Sequence, residues 1–244
     1  MHRILFCCSP SRAAVACCLL ISLLAVCVSP VRASAPPDFG LAEVEPAQTD
    51  AIAVDVFVGL DFAEFWWDSA AIPGCANVLI KRGSQEIASV PCSTQPWRDS
   101  GLSAGTGYTY GLEFKDAGDS VLGSASPRAT PGSYYGKLHT NLAISGGTVT
   151  VGRITVMPQA ELSFQGGAQV TGGFIFDDAN REAGSACSGS PGSVDAAGAA
   201  FQDTEFTFCN AGSSFSENSG SAKIFLFAAA LIKDSTLGSI YADI

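Results

Sequence analysis

Histidine is nearly absent from this chain: His2 and His139 are the two in 244 residues. A nucleophilic triad needs a base beside its serine or cysteine. Only His139 lies beyond the N-terminal export-like segment. It reads as a solvated residue at a strand edge. No CxxC pair is present, so zinc-ligand spacing is missing as well, and no metal site is expected. A phosphate loop, a dinucleotide fingerprint and an Arg-Gly-Asp tripeptide are all missing. Basic residues are scarce, with 13 Lys and Arg against 23 Asp and Glu and a formal net charge of −10. Such a surface repels phosphate backbones, which excludes nucleic acid as a partner. It also argues against docking on anionic lipid. The acidity fits a protein kept soluble outside the cell.

The one long apolar run is residues 13–28, behind Arg3 and Arg12 and ahead of Val31-Arg32-Ala33. This order is that of a secretory signal peptide spanning residues 1–33. Cleavage after Ala35 would leave Pro36 just beyond the cut, so Ala33 is the expected site. The run is short for a membrane span, which needs about 20 residues. An uncleaved anchor and a lipoprotein built on Cys27 are the rival readings. Val26 is bulky for the residue before a lipidated cysteine. No transmembrane span is expected after cleavage, and localisation is read as secreted or cell-surface. Cleavage also removes Arg3, Arg12 and Arg32 with no acid, so the rest is more acidic still.

Nine cysteines are present, but Cys7, Cys8, Cys17, Cys18 and Cys27 fall in the signal segment. Cys75, Cys92, Cys187 and Cys209 remain. An even number in an exported chain favours two disulfides. Proximity in sequence favours Cys75–Cys92 and Cys187–Cys209 among the three possible connectivities.

Residues 39–131 alternate in the manner of a half-buried sheet. Ala63, Phe65 and Trp67 share one face, as do Val78 and Ile80, and as do Tyr108, Tyr110, Leu112 and Phe114. Pro73-Gly74, Gly83 and Ala117-Gly118-Asp119 punctuate the runs, and 121–129 reads as the last strand. Strands at this spacing imply a β-sandwich. Leu102 precedes Tyr108 by six positions, as in a tyrosine corner, where the hydroxyl bonds the backbone of the preceding turn. On Trp67, the hairpin around Gly83, Leu102, Tyr108 and the run 124–130, the segment 51–131 resembles a fibronectin type III domain. It departs from that family in carrying Cys75 and Cys92. Trp67 and Tyr108 are expected in the core. Trp66 and Trp97 are expected to be exposed, either packed at the rim or stacked on sugar.

Pro131-Gly132-Ser133 reads as a short linker. Beyond it, residues 137–244 turn to Gly and short β runs, such as Thr148–Val151, Arg153–Val156, Glu161–Phe164 and Phe174–Phe176. This texture resembles the coils of a parallel β-helix, as in pectate-lyase-like proteins, with at least about three coils needed to bury a core. A second antiparallel sandwich is the alternative. Residues 178–199 break the rhythm and read as a solvent loop tied down by Cys187–Cys209. Residues 241–244 show no polar cap, so the end reads as open, through truncation or as an assembly surface. The expected fold class is therefore all-β: a fibronectin type III-like sandwich followed by a partial right-handed parallel β-helix.

Two functions follow. The first is a non-catalytic extracellular binding or scaffolding protein, whose partner is a glycan or a surface protein, with no cofactor. The second is a carbohydrate-active enzyme, a polysaccharide lyase or hydrolase, or a fragment of one. By resemblance to β-helix lyases, Asp177, Asp178 and Glu182 would hold Ca²⁺ and Arg181 would act as base on a uronate. Adjacent strand positions point to opposite faces, so Asp177 and Asp178 cannot both enter one site on a regular strand. From residue 137 on, Lys137, Arg153, Arg181, Lys223 and Lys233 are the only Lys and Arg, a thin grip for an acidic polymer. The binding protein is the preferred reading.

Overall fold

The computed structural model describes residues 50–216, 221–227, 231–233 and 239–242. The signal-segment reading and the start of the sandwich at residue 39 lie outside the described residues, as do residues 243–244.

The first half forms β1 (Asp50–Ala51), β2 (Asp55–Val58), β3 (Phe62–Trp66), β4 (Asn77–Arg82), β5 (Gln85–Pro91), β6 (Trp97–Ser100), β7 (Tyr108–Lys115), β8 (Val121–Ala125) and β9 (Arg128–Ala129). Strands β2, β3 and β6 pair antiparallel. The path β5, β4, β7, β8 makes a second antiparallel layer, with β1 parallel beside β8. Residues of both layers share one core, and the alternation in sequence supplies it: Ala63, Phe65, Trp67, Val78, Ile80, Leu112 and Phe114 are all buried. The Trp67 indole N–H donates to the Cys92 carbonyl at 2.8 Å, and the ring meets Phe114 edge-on. The Cys75–Cys92 disulfide closes beside this contact, with Cα atoms 5.9 Å apart.

Two sequence expectations about these strands need correction. Tyr108 is half-buried, not buried. Its hydroxyl accepts from the Ser103 N–H at 3.1 Å at an exposed corner, and its ring lies under Arg82, so the residue sits at the rim. The run 121–129 is two strands, β8 and β9. Pro127 divides them, since proline has no N–H for a ladder, though its carbonyl still accepts from Tyr110 N–H. Strands β2 and β6, unread in the sequence, complete the first layer.

The second half comprises β10 (Tyr134–Leu138), β11 (Leu142–Ser145), β12 (Thr148–Val156), β13 (Glu161–Gln165), β14 (Ala168–Thr171), β15 (Phe174–Phe176), α1 (Ala179–Glu182), β16 (Ser193–Ala196), β17 (Ala199–Gln202), β18 (Glu205–Phe208), β19 (Ser214–Ser216), β20 (Lys223–Leu226), β21 (Leu231–Lys233) and β22 (Ser239–Ala242). Successive coils pair in parallel, in three stacks. One is β11, β13, β16, β19, β21. A second is β10, β12, β15, β18, β20, β22. The third is the first half of β12, then β14 and β17. This is a parallel β-helix, which sets aside the second antiparallel sandwich. Like residues stack inward: Ile154 on Ile175, Phe206 and Ile224, and Val149 on Val170 and Phe201. Gly173 shows why the corners are glycine. Its φ is 85°, and a Cβ there would run into the Val151 and Gly152 carbonyls. The expected solvent loop at 178–199 is a correction, because the segment contains α1 and β16 and delivers β17.

The two halves share a sheet and a core. Strand β10 pairs parallel with β12 and antiparallel with β2. Phe57 and Phe62, on sandwich strands, belong to the core cluster of the β-helix, not to that of the sandwich. Their rings lie 6.2 Å apart, and Phe57 meets Tyr134 at 6.5 Å. A solenoid exposes apolar surface at its ends and needs a cap. Here the outer face of β2 and β3 covers the end that begins at β10. The expected linker at 131–133 therefore joins parts that pack as one body, and the described residues all belong to one compact unit.

Candidate functional site

Along β3 and the residue after it the inward set is Ala63, Phe65 and Trp67, so Phe62, Glu64 and Trp66 face the other way. That face meets the start of the β-helix. Glu64 is only 4% exposed. It accepts two hydrogen bonds from Arg98, at 2.6 and 3.0 Å, and one from the Thr140 hydroxyl at 3.0 Å. Arg98 also lies over the Phe62 ring, 4.1 Å from its centroid. Burying a carboxylate without such partners would cost several kcal/mol. Here it ties strands β3 and β6 to the β10–β11 connection.

Beside it sits a second cluster. Asp55 stands opposite Trp66 across β2 and β3. Its carboxylate accepts from Lys137 Nζ at 2.9 Å and lies 2.9 Å from His139 Nε2. Burial pushes this carboxyl up, but the hydrogen bonds from His139 and Lys137 and their charges leave it below the ordinary value. His139 stacks on Trp66, with centroids 4.0 Å apart and planes 4° apart. The solvated strand-edge histidine is thus corrected: its side chain is 10% exposed and held by an acid and an aromatic ring. Trp66 is half-buried, with one ring face covered. Trp97 is also half-buried and stacks on Phe65. The expectation that both tryptophans are exposed is corrected for the same reason. Each ring found a partner that lies far away in sequence.

Trp66 and Asp55 also line a cleft of about 460 Å³ with Ile52, Asp68, Ile72, Pro73, Leu122 and the small side chains of Ala51, Ala53 and Ala71. Asp68 caps the short 3-10 turn Ser69–Ala71, accepting from the Ala70 N–H at 3.0 Å. The cleft volume falls in the range typical of small-molecule sites, about 300–1,000 Å³.

The lyase-type residues are placed apart from this cleft. Asp177 is fully buried and accepts from Cys209 N–H at 2.6 Å, Asn210 N–H at 2.9 Å and the Ser213 hydroxyl at 2.8 Å. Burial pushes its carboxyl up to about 6 against those hydrogen bonds. Asp178 caps α1 through Asn180 N–H and accepts from Ser188. Burial raises its carboxyl, but the Ser188 and backbone hydrogen bonds bring it below the ordinary value. Arg181 lies over Phe227, 3.5 Å from the centroid, and donates to the Ser185 carbonyl. Glu182 accepts from the Thr155 hydroxyl and faces Arg153. Each is engaged in a separate local contact. The Cys187–Cys209 disulfide, with Cα atoms 5.5 Å apart, pins this corner. Among the described residues, no group of three or more His, Cys, Asp or Glu side chains is arranged to hold a metal. No described helix is long and apolar enough to cross a membrane.

No family model and no curated protein sequence matches the chain. Solved structures do. One is a pectate lyase of Erwinia chrysanthemi in complex with tetragalacturonic acid, at 12% identity and TM-score 0.28, covering 75% of this chain and 63% of that one. Another is a pectate lyase of Pectobacterium carotovorum, at 16% identity and TM-score 0.30, covering 72% and 59%. A third is a family 28 exopolygalacturonase of Yersinia enterocolitica, at 13% identity and TM-score 0.29, covering 72% and 42%. The match spans less than two thirds of each of these chains.

Proposed function

We propose that this chain is a secreted or cell-surface binding protein, without catalysis of its own, in which a fibronectin type III-like sandwich caps and presents a parallel β-helix and carbohydrate is the partner. The observation that carries the reading is the cleft beside the Trp66–His139 stack: an aromatic ring held rigid, carboxylate acceptors beside it and low walls of alanine. A ring already fixed by a parallel neighbour loses little freedom when a second flat surface joins it, and such pre-organisation favours binding. Support for the sandwich family comes from the layers β2-β3-β6 and β5-β4-β7-β8, the buried Trp67 and the Tyr108–Ser103 corner bond. A right-handed wind of the β-helix is the sense that parallel crossovers take. Export is supported by the order of charge, apolar run and small residues over residues 1–33, and by the two disulfides. The Ca²⁺-dependent lyase reading gains no support from Asp177, whose carboxylate is spent inside the coil.

The test is a screen of the purified protein against immobilised and soluble glycans, neutral and acidic, with Ca²⁺ present. Retention on a glycan with no new unsaturated or reducing ends is the expected result. Turnover abolished by Asp177→Ala or Arg181→Ala would replace the binding protein with a lyase.

A further inference from the structure

We infer that the Trp66 cleft takes an uncharged saccharide and excludes uronates, an inference that rests on the carbohydrate reading above and narrows it.

The argument is one of charge and donor type. Ionisable side chains lining the cleft are Asp55 and Asp68, both acids, and no Lys or Arg lines it. Lys137 and His139 both meet the Asp55 carboxylate, and neither is among the residues that line the cleft. That carboxylate is held ionised, so it does not lose its charge to make room for an anion. Asp68 adds a second carboxylate at an exposed position. An ionised carboxylate only accepts hydrogen bonds. Hydroxyl groups of a neutral sugar can donate to it, and such charge-assisted bonds are the stronger kind. A uronate carboxylate inside the cleft would bring like charge against Asp55 and Asp68, with no guanidinium or ammonium in the lining to receive it. The rest of the lining is apolar or small: Ile52, Ile72, Pro73, Leu122 and the alanines. That wall suits the C–H face of a pyranose lying along the indole.

This selectivity is the reverse of what a polyuronate-binding groove requires, so the cleft is not a uronate subsite displaced onto the sandwich. On the β-helix face, Arg153 lies over Phe174 and Phe176 and stands 3.9 Å from Glu182, with its side chain 54% exposed.

The test titrates the purified protein with uncharged hexasaccharides of glucose, xylose and mannose, and separately with tetragalacturonate, by calorimetry at neutral pH and physiological salt. Saturable binding of at least one neutral hexasaccharide is expected, with tetragalacturonate at least tenfold weaker. Trp66→Ala should weaken the neutral ligand tenfold or more. Because that variant also removes the His139 stack, Ala71→Arg serves as the second. Ala71 is an exposed cleft wall with no part in the stack, so the arginine obstructs the cleft and should give a similar loss with the unfolding temperature kept. Tetragalacturonate binding as tightly as the neutral ligand overturns the charge inference and leaves the carbohydrate reading standing. Neutral binding undiminished in both variants overturns the cleft. No binding of any saccharide overturns the inference and the carbohydrate reading together.

Discussion

The imidazole of His139 lies parallel to the indole of Trp66, centroids 4.0 Å apart, one residue from the sandwich and the other from the start of the β-helix. This stack, with the Asp55–Lys137 pair and the buried Glu64, closes a junction whose apolar part is Phe57 and Phe62. The sandwich is therefore the end cap of the solenoid as well as its neighbour.

That arrangement predicts one unfolding event. Phe57 is 1% exposed within the β-helix core although it lies on a sandwich strand. Phe57→Ala should destabilise the protein by about 3–5 kcal/mol, the usual cost of emptying an aromatic site in a core. Calorimetry should show one transition moving down as a whole. Two transitions, with only one displaced, would separate the halves and refute the shared core.

Within the sandwich, Trp67→Ala should cost about 3–5 kcal/mol for the lost volume. Trp67→Phe should recover most of that but leave the Cys92 carbonyl without its indole donor. Tyr108→Phe should cost on the order of 1 kcal/mol, the net worth of one hydrogen bond, since Tyr108 sits at the rim. Denaturant titration measures all three. A Tyr108→Phe cost as large as that of Trp67→Ala would contradict the half-buried placement.

Asp177 sets a pH dependence. Its carboxyl titrates near 6 when folded, because burial outweighs its three hydrogen bonds, against an ordinary value of 3.8. Between those values the native state binds more protons at this site than the unfolded chain does. Its contribution to stability is therefore full below about pH 4 and is lost as pH rises through about 6, by up to about 3 kcal/mol. Asp177→Asn should flatten that part of the stability profile. Asp178→Asn should not, since the Asp178 carboxyl lies below its ordinary value and acts at lower pH with the opposite sign. An unchanged slope between pH 4 and 6 in Asp177→Asn would count against the burial of that carboxylate.

Local periodicity made much of the fold legible. Alternation placed Ala63, Phe65 and Trp67 inward, and Gly-punctuated short strands pointed to parallel coils. Proximity gave both disulfide pairs. What the sequence did not disclose lies across long separations. Nothing near His139 says that Asp55 and Trp66 will meet it, and nothing near Glu64 announces Thr140. One signal was within reach: alternation that sends Trp67 inward sends Glu64 and Trp66 to the opposite face together. That opposite face is the junction, and its tryptophan borders the cleft. The Asp177-Asp178 pair misleads for the reverse reason. Two acids and an arginine close in sequence suggest one centre, yet a position just past a strand, a helix cap and the helix α1 itself give each a different partner.

The account is tested most directly by following the three indole N–H resonances of Trp66, Trp67 and Trp97 in a ¹⁵N-labelled sample, assigned by single Trp→Phe variants, as a neutral hexasaccharide is added. The Trp66 signal should shift progressively to saturation while those of Trp67 and Trp97 stay in place, because Trp66 alone of the three lines the cleft. A saturable shift confined to the β-helix backbone around Arg153 and Phe174, with Trp66 unmoved, would contradict it.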